Sequence, residues 1–350
     1  MTAVEPNGEV PSMPLPRRPV TLADIAREAG TSASTASRAL SGRGYVSPLA
    51  RDRLLAVAER LGYVPNASAR TLKQKTSRVV GVVVSDLGNQ FYARLAAGIE
   101  QALREADYQM VLLGDNSRSE EELAAARTFV AMRAPGVIMT PVSAAATSLL
   151  ARQGVAVVEV DRRLADVPCD AVVIDNERGA REATEHLLAL GHRRIGLLVV
   201  KTDWTSDVGR LRGFHAAHEA VGLAVDPALV TQIEPGAPDT DARVSALLDR
   251  RPTAVFAANN LLAESAWRLL RRRGQRLPHD VSLVGFDDVP WMEMVEPGIT
   301  AVAQPTFELG RRAAALLLLR VADPGRVPQL EELQPALVVR GSTGPPPAAA

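Results

Sequence analysis

Residues 21–40 read TLADIAREAGTSASTASRAL, two short helix patterns around a glycine. Leu22, Ile25, Ala26 and Ala29 recur at i, i+3, i+4 and i+7, so the first helix has one apolar face, and Thr21 with Asp24 supplies a capping box at its start. Gly30 breaks it. Ser32 caps a second helix, on which Ala36, Ala39 and Leu40 point one way while Ala33, Ser34, Ser37 and Arg38 point the other. A helix whose exposed side is small, polar and basic can lie against base-pair edges in a major groove, with Arg reaching guanine or phosphate. Paired amphipathic helices of this kind also occur in many helical domains that bind no DNA, so the residues that follow decide the reading.

Ser47-Pro48 is a cap followed by proline at the first helical position, and the third helix predicted from it runs to Leu61 on Leu54, Val57, Ala58 and Leu61, with Gly62 as its stop. Three helices over about forty residues make a small core that is marginal alone. YVPNASARTLKQKTSR at 63–78 comes next, strongly basic through Arg70, Lys73, Lys75 and Arg78, with Asn66 placed to cap a short helix through Leu72. Leu72 is a lone large apolar residue in that setting, and apolar wedges flanked by Arg and Lys pry open minor-groove base steps. From Arg17 to Arg78 there are 12 Lys or Arg against 4 Asp or Glu, while the whole chain has zero net charge, so a basic head is joined to an acidic body. A polyanion partner is expected for the head alone.

From Val79 the pattern changes. VVGVVVS at 79–85 is a continuous β-branched run followed by a helical pattern, and the alternation repeats at 110–114, 136–140, 155–160 and 171–175, then at 194–200, 228–233, 253–258 and 281–286. Strand and helix alternating on this period imply parallel doubly wound sheets, and two series imply two lobes. Ligands in such sheets bind outside the carboxyl ends of the strands, where Ser85, Asp86, Thr140, Asp161, Asn259, Asn260, Asp287 and Asp288 are expected. A cleft lined by carboxylates, amides and aromatics suits a polyhydroxyl or heterocyclic small molecule.

The single cysteine, Cys169, excludes an internal disulfide framework and reads as an inert residue of a reducing compartment. No metal or cofactor site is evident. The Pro-rich first residues lack an apolar signal region, and LLLL at 316–319 is framed by Arg311, Arg312 and Arg320, so a soluble, cytoplasmic, nucleoid-associated protein is expected with no membrane partner. GSTGPPPAAA at the end is low in complexity and is expected to be disordered. No glycine-rich phosphate loop follows the first strand and no nucleophile elbow is present, which argues against an enzyme.

With these features in order, the chain closely resembles the LacI/GalR family of bacterial transcriptional regulators over about residues 20–341. The resemblance rests on VTLADIAREAGTSASTASRALSG, the YVPNASARTLK hinge, GIEQAL at 98–103, HLLALGHRRIG at 186–196, VGFDD at 284–288 and QPTFELGRRA at 304–313. It implies a homodimer whose heads place their second helices in major grooves and whose hinge helices enter the minor groove of a near-palindromic operator on double-stranded DNA. On this resemblance Ala33, Ser34 and Arg38 fall on base-reading positions, Thr35 and Ser37 on phosphate-contacting ones, Leu72 on the intercalating leucine with Lys73 beside it, and Asn66 on the residue that opens the hinge helix. Thr21, Ser32 and Arg70 complete the expected DNA-facing set. It also implies a periplasmic-binding-protein-like core with an effector between the lobes, contacted by Phe91, Tyr92, Asp161, Arg210, Asn259 and Asp287, with Trp204 and Trp291 as stacking faces. Departures from the family pattern occur at Asn89-Gln90-Phe91-Tyr92, at Asn259-Asn260 and at Lys201-Thr202, all beside the expected pocket.

The expected organisation is α/β: a disordered arm at 1–19, a helix-turn-helix domain at 20–64, a hinge at 65–77, and a core at 78–341. The core divides into an N-terminal lobe, about 78–174 plus 305–328, and a C-terminal lobe, about 175–304 plus 329–341, before a disordered tail at 342–350. The expected function is a ligand-responsive repressor of carbohydrate-utilisation genes released by a small sugar-like inducer. A corepressor-dependent regulator responding to a nucleobase or other metabolite is the alternative. A sugar-binding module or an enzyme on the same core stands further off.

Overall fold

Caps start the helices of the head and glycines end them. In this computed structural model, which describes residues 18, 20–42, 44–64, 77–164 and 168–347, the chain forms two compact units, Met1–Gln74 and Lys75–Ala350. In the first, the Thr21 hydroxyl accepts from the Asp24 N–H at 3.3 Å and the Asp24 carboxylate accepts from the Thr21 N–H at 2.9 Å, which opens α1 (Leu22–Glu28). Ser32 opens α2 (Ala33–Ser41), and Ser47 with Pro48 opens α3 (Pro48–Arg60). Gly30, Gly42 and Gly62 follow the three helices at φ between +63° and +69°, a left-handed turn that only glycine adopts without cost. Ile25, Ala26, Ala29, Ala36, Ala39, Leu54, Val57 and Ala58 form the core, the apolar faces read from helical spacing. Its residues are mostly alanine, and truncating Leu54, which is fully buried, would cost about 2–5 kcal/mol of so small a unit. The hinge expectations for Asn66, Arg70, Leu72 and Lys73 lie outside the described residues.

The second unit holds two parallel sheets. The first contains β1 (Val79–Val84), β2 (Gln109–Gly114), β3 (Gly136–Met139), β4 (Ala156–Val160), β5 (Asp170–Ile174) and β11 (Leu330–Leu333), in the order β2-β1-β3-β4-β5-β11. The second contains β6 (Ile195–Val200), β7 (Val230–Ile233), β8 (Ala254–Ala257), β9 (Ser282–Phe286), β10 (Thr300–Ala303) and β12 (Ala336–Val338), in the order β7-β6-β8-β9-β10-β12, and there only β10 and β12 run antiparallel. Helices α4 (Gln90–Glu105), α5 (Ser119–Ala131), α6 (Ala144–Arg152), α7 (Asn176–Ala189), α8 (Thr205–Ala220), α9 (Thr240–Asp249), α10 (Asn260–Arg272), α11 (Trp291–Met294) and α12 (Thr306–Ala322) complete it. The register sets Val84 beside Gly114 and Val200 beside Ile233, so neighbouring strands finish at a common carboxyl edge in each lobe. In each sheet the strand order reverses at the first strand, β1 or β6, the place where doubly wound sheets open a crevice.

Close helix pairs fix what stands at those edges. A Cβ on Gly98 of α4 would lie 2.0 Å from the Phe307 carbonyl oxygen of α12, and one on Gly213 of α8 would lie 2.1 Å from the Glu177 carbonyl oxygen of α7. Glycine is therefore required for the backbones to approach, and the approach sets the positions of the α4 and α8 N-termini.

Two expectations are corrected. Residues 329–341 do not all belong to the C-terminal lobe, because Leu330–Leu333 pairs with β5 in the first sheet; its polar LEEL sequence suits an edge strand and hides it from a hydrophobicity reading. The tail is ordered through residue 347. Ser342 is fully buried and donates to the Leu283 carbonyl at 2.6 Å, Gly344 N–H donates to Ser282 Oγ at 3.1 Å, and buried His192 contacts the Gly344 carbonyl at 2.9 Å. Burial holds the pKa of His192 below that of a free imidazole. Cys169 is half-buried, its thiol pushed up by burial beside Glu159, as befits an unreactive residue. Among the described residues no helix is long and apolar enough to cross a membrane.

Candidate ligand cleft and DNA-reading face

On the head, α2 begins with a cluster of hydroxyls. Ser32 Oγ accepts from the Thr35 N–H at 3.1 Å and lies 2.9 Å from both Ser34 Oγ and Thr35 Oγ1. Hydroxyls at a helix N-terminus, where unpaired N–H groups and the helix dipole favour negative charge, suit a phosphate oxygen. Ala33, Ser34 and Arg38 are exposed, and Thr35 and Ser37 are half-buried. Arg38 is the one long side chain of this face. Its Nε donates to the Ser34 carbonyl at 3.3 Å, one turn back along the helix. Thr21 is half-buried and occupied in the capping box.

In the core, the carboxyl edges of the two sheets enclose a cavity of about 470 Å³. Phe91, Tyr92, Asp161, Trp204, Arg210, Asn259 and Asp287 all line it, so residues up to almost two hundred positions apart converge as the strand-end reading expects. Phe91 and Tyr92 meet edge to face at 5.1 Å, and burial pushes the Tyr92 hydroxyl up to about 12. Asp161 follows β4 at φ +70° and Asp287 follows β9 at φ +85°, equivalent places in the two lobes. Backbone strain of this kind, about 1–3 kcal/mol per residue, persists where packing fixes a side chain in place.

The two acids are used differently. Asp287 accepts from the Asn260 N–H at 3.1 Å and from Gln304 Nε2 at 2.7 Å, with Arg210 Nη2 at 3.7 Å. The Asp161 carboxylate is buried yet has no hydrogen-bond donor among the described residues. Burial pushes it up to about 6, with Arg162 and Arg210 pulling down and Asp287 and Asp207 pushing up. It is an acceptor on the cavity wall with no hydrogen-bond donor among the described residues.

Arg210 donates through Nε to Asn176 Oδ1 at 2.8 Å and through Nη1 to the Ala258 carbonyl at 2.7 Å, and its guanidinium lies 3.9 Å from the Phe286 ring centroid. It is a strut of the C-terminal lobe as well as a cavity wall. Asn259 caps α10 by accepting from the Leu262 N–H at 2.8 Å.

Two residues that the sequence reading missed, Arg162 and Asp207, stand in the same cavity. Arg162 is buried, donating to Ser85 Oγ at 2.6 Å and to the carbonyls of Pro141 and Thr140 at 2.7 and 3.2 Å, and its guanidinium lies 3.7 Å from the Trp204 ring centroid. Trp204 thus offers at most its other face to a ligand. Asp207 accepts from Thr202 Oγ1 at 2.6 Å, and burial pushes its carboxyl up. Asn89 and Asn260 exchange amide hydrogen bonds of 2.6 and 3.2 Å across the cleft, one from each lobe. Asp207 had a signal, lying one helical turn before Arg210, but an acid in the first turn of a helix is ordinarily read as a partner of its dipole. Three other expectations fail. Trp291 packs on Trp267 at 5.8 Å away from the cavity, Asp288 is held by Arg340 at 2.6 and 3.1 Å, and Thr140 is buried behind Ser85.

Residues 21–66 match the lacI family of bacterial regulatory proteins, and residues 184–343 match a periplasmic binding protein-like domain. The HTH-type transcriptional regulator CelR of Thermobifida fusca is 36% identical over 338 residues, covering 93% of this chain and 99% of the relative. DegA of Bacillus subtilis, another HTH-type transcriptional regulator, is 32% identical over 331 residues, covering 93% and 98%. Among solved structures, the lac repressor dimer bound to operator and the anti-inducer ONPF matches with TM-score 0.80 at 27% identity, across 93% of this chain and all of that one. A CelR–cellobiose complex matches with TM-score 0.70 at 34% identity over the same shares. With 32–36% identity over 93% of its length, the chain belongs to the lacI family of bacterial regulatory proteins, and its work is transcriptional regulation rather than catalysis.

Proposed function

We propose that this regulator is a cytoplasmic, homodimeric repressor that binds a near-palindromic operator and is released from it by a small sugar-like inducer held in the cleft. The observation that carries the reading is the Asp161 carboxylate, a buried acceptor with no donor among the described residues, in a cavity that also presents guanidinium, amide and aromatic groups. Vicinal hydroxyls are the natural partners: a carboxylate accepts from two of them, while a fixed guanidinium donates to a third oxygen. The size of the cavity, about 470 Å³, is right for one or two sugar rings. Relatives and structural neighbours with sugars in their names, a ribose operon repressor and the cellobiose complex, support the same class. Thr21, Ser32, Ala33, Ser34, Thr35, Ser37 and Arg38, with the hinge residues Asn66, Arg70, Leu72 and Lys73, are the proposed DNA contacts. Phe91, Tyr92, Asp161, Trp204, Arg210, Asn259 and Asp287 are the proposed effector contacts.

A thermal-shift screen of the whole protein against mono- and disaccharides, nucleosides and purines tests the effector class, since a ligand that binds the folded state raises the melting midpoint. A rise with a sugar is expected. A rise with purines alone would replace induction by sugar with the nucleobase-responsive reading.

A further inference from the structure

Asp161 and Asp287, the two acids among the proposed effector contacts, follow β4 and β9, strands well inside their sheets. The cavity does not stop at them. Its wall also includes Asn116 and Ser117 after β2, and Glu234, Gly236 and Thr240 after β7, the edge strands of the two sheets. In each sheet three strand spacings separate the two places, β4 from β2 and β9 from β7, and at about 4.8 Å per spacing the wall runs for about 14 Å. A six-membered ring built from bonds of about 1.5 Å measures about 6 Å between its outermost oxygens, so one ring held at Asp161 does not reach the far end.

The far end holds polar groups in a fixed turn. Asp115 is fully buried at the end of β2, and its carboxylate accepts from the Ser117 N–H at 2.8 Å. That bond, with the Arg118 N–H donating to the Asp115 carbonyl at 2.9 Å, accompanies successive left-handed conformations of Asn116 and Ser117 at φ +51° and +58°. Glycine would adopt both without cost, whereas two residues with side chains store strain there. Asn116 is steadied by donating to Glu121 at 2.7 Å, and the Ser117 hydroxyl has no hydrogen-bond partner among the described residues. On the facing lobe the Thr240 hydroxyl donates to the Ala237 carbonyl at 2.6 Å, which leaves its lone pairs to accept. Hydroxyl and amide side chains that can both donate and accept match the hydroxyls of a sugar ring.

We infer that the cleft has a second sugar subsite between the ends of β2 and β7, read by Asn116 and Ser117, and that its effector is an oligosaccharide of two or more rings rather than a monosaccharide. The inference rests on the sugar reading above and adds the length of the ligand. One ring meets Asp161 and Asp287, and the next reaches Asn116, Ser117 and Thr240.

Calorimetry on the full-length protein tests this with probes matched in sugar and differing in length: glucose against cellobiose, maltose and trehalose, xylose against xylobiose, galactose against lactose, and ribose as a further single ring. At least one disaccharide is expected to bind about tenfold or more tightly than the single rings that compose it. Asn116→Gly with Ser117→Gly removes both side chains at φ values that glycine adopts freely, so the turn is kept, and should shrink that ratio about threefold or more by weakening the disaccharide. Should that protein not fold, Thr240→Ala on the other lobe gives the same readout. Single rings that bind as tightly as the disaccharides containing them, or ribose alone binding, overturn the inference and leave the sugar reading intact. A tenfold ratio that none of these substitutions moves overturns the second subsite as its source. Silence from every probe overturns the sugar reading and this inference with it.

Discussion

The head and the cleft both hold polar groups in a fixed geometry, and they do so with opposite resources. The α2 face is built from Ser32, Ala33, Ser34, Thr35, Ser37 and Arg38, neighbours on one helix, exposed or half-buried, and held by bonds one turn long such as Arg38 to the Ser34 carbonyl. The cleft is assembled from residues spread over 85–287, largely buried, and held by bonds between segments distant in sequence such as Arg162 to Ser85 and Arg210 to Ala258. A side chain on the head can therefore be changed with little effect on folding, because water replaces its partners. In the cleft the same side chains serve as walls of the lobe and as ligand contacts, so recognition and stability are not separable there.

The sharpest way to break that contrast is to truncate one arginine from each region. Arg210→Ala leaves Asp287 near no other guanidinium and Asn176 without its donor, and should cost the core about 3–5 kcal/mol in denaturant unfolding. Arg38→Ala should change stability by less than about 0.5 kcal/mol while weakening specific DNA binding. Equal losses of stability would erase the distinction between the two regions.

Asp161→Asn sharpens it, because this acid has no donor among the described residues. Ligand affinity should fall about tenfold or more with no loss of stability, since the substitution removes a buried charge and no hydrogen bond. In the wild type burial raises the folded-state pKa to about 6, above the usual range of a free carboxylate, so the folded state binds a proton that the unfolded chain has released. Its contribution to stability is therefore present at low pH and declines as pH rises from about 4 through about 6. Ligand affinity should run the other way, steady above about 6 and falling on acidification as the acceptor is lost. Titration calorimetry between pH 5 and 8 separates the two, and a pH-independent affinity would remove Asp161 from the ligand contacts.

A smaller effect is expected at the amide pair that joins the lobes. Asn89→Ser keeps a capping oxygen for α4 and loses the bridge, and Asn260→Asp sets a carboxylate against Asn89 Oδ1. A double-mutant cycle by thermal unfolding should return a coupling of about 0.5–1.5 kcal/mol. A coupling of zero would mean that the amide pair adds nothing to the other contacts between the lobes, such as Arg163 N–H to Thr205 Oγ1 at 3.0 Å.

What could be read in the sequence follows the same division. The three described helices of the head were legible to within a residue or so, because Thr21, Ser32, Ser47, Gly30 and Gly62 act within a turn of where they stand. The main strands of the lobes were legible as apolar runs, and the seven residues expected at the cleft do converge. Arg162 was not legible. Its importance lies in reaching Ser85, seventy-seven residues earlier, and no local pattern encodes that. The tail failed for a related reason: GSTGPP looks disordered by composition, yet Ser342 and Gly344 fill the hydrogen-bonding needs of Leu283, Ser282 and His192. Where a residue answers a distant group, composition misleads and only the fold tells.

The link between the two regions can be measured directly by fluorescence anisotropy. A duplex selected by the full-length protein from a random pool is titrated with and without a neutral sugar that calorimetry has found to bind. In the wild type the sugar should weaken DNA affinity by about 5- to 150-fold, while Asp161→Asn should bind the same duplex equally well and ignore the sugar. A wild-type affinity unmoved by saturating sugar, or an Asp161→Asn protein that responds as the wild type does, would contradict control of the head from the cleft.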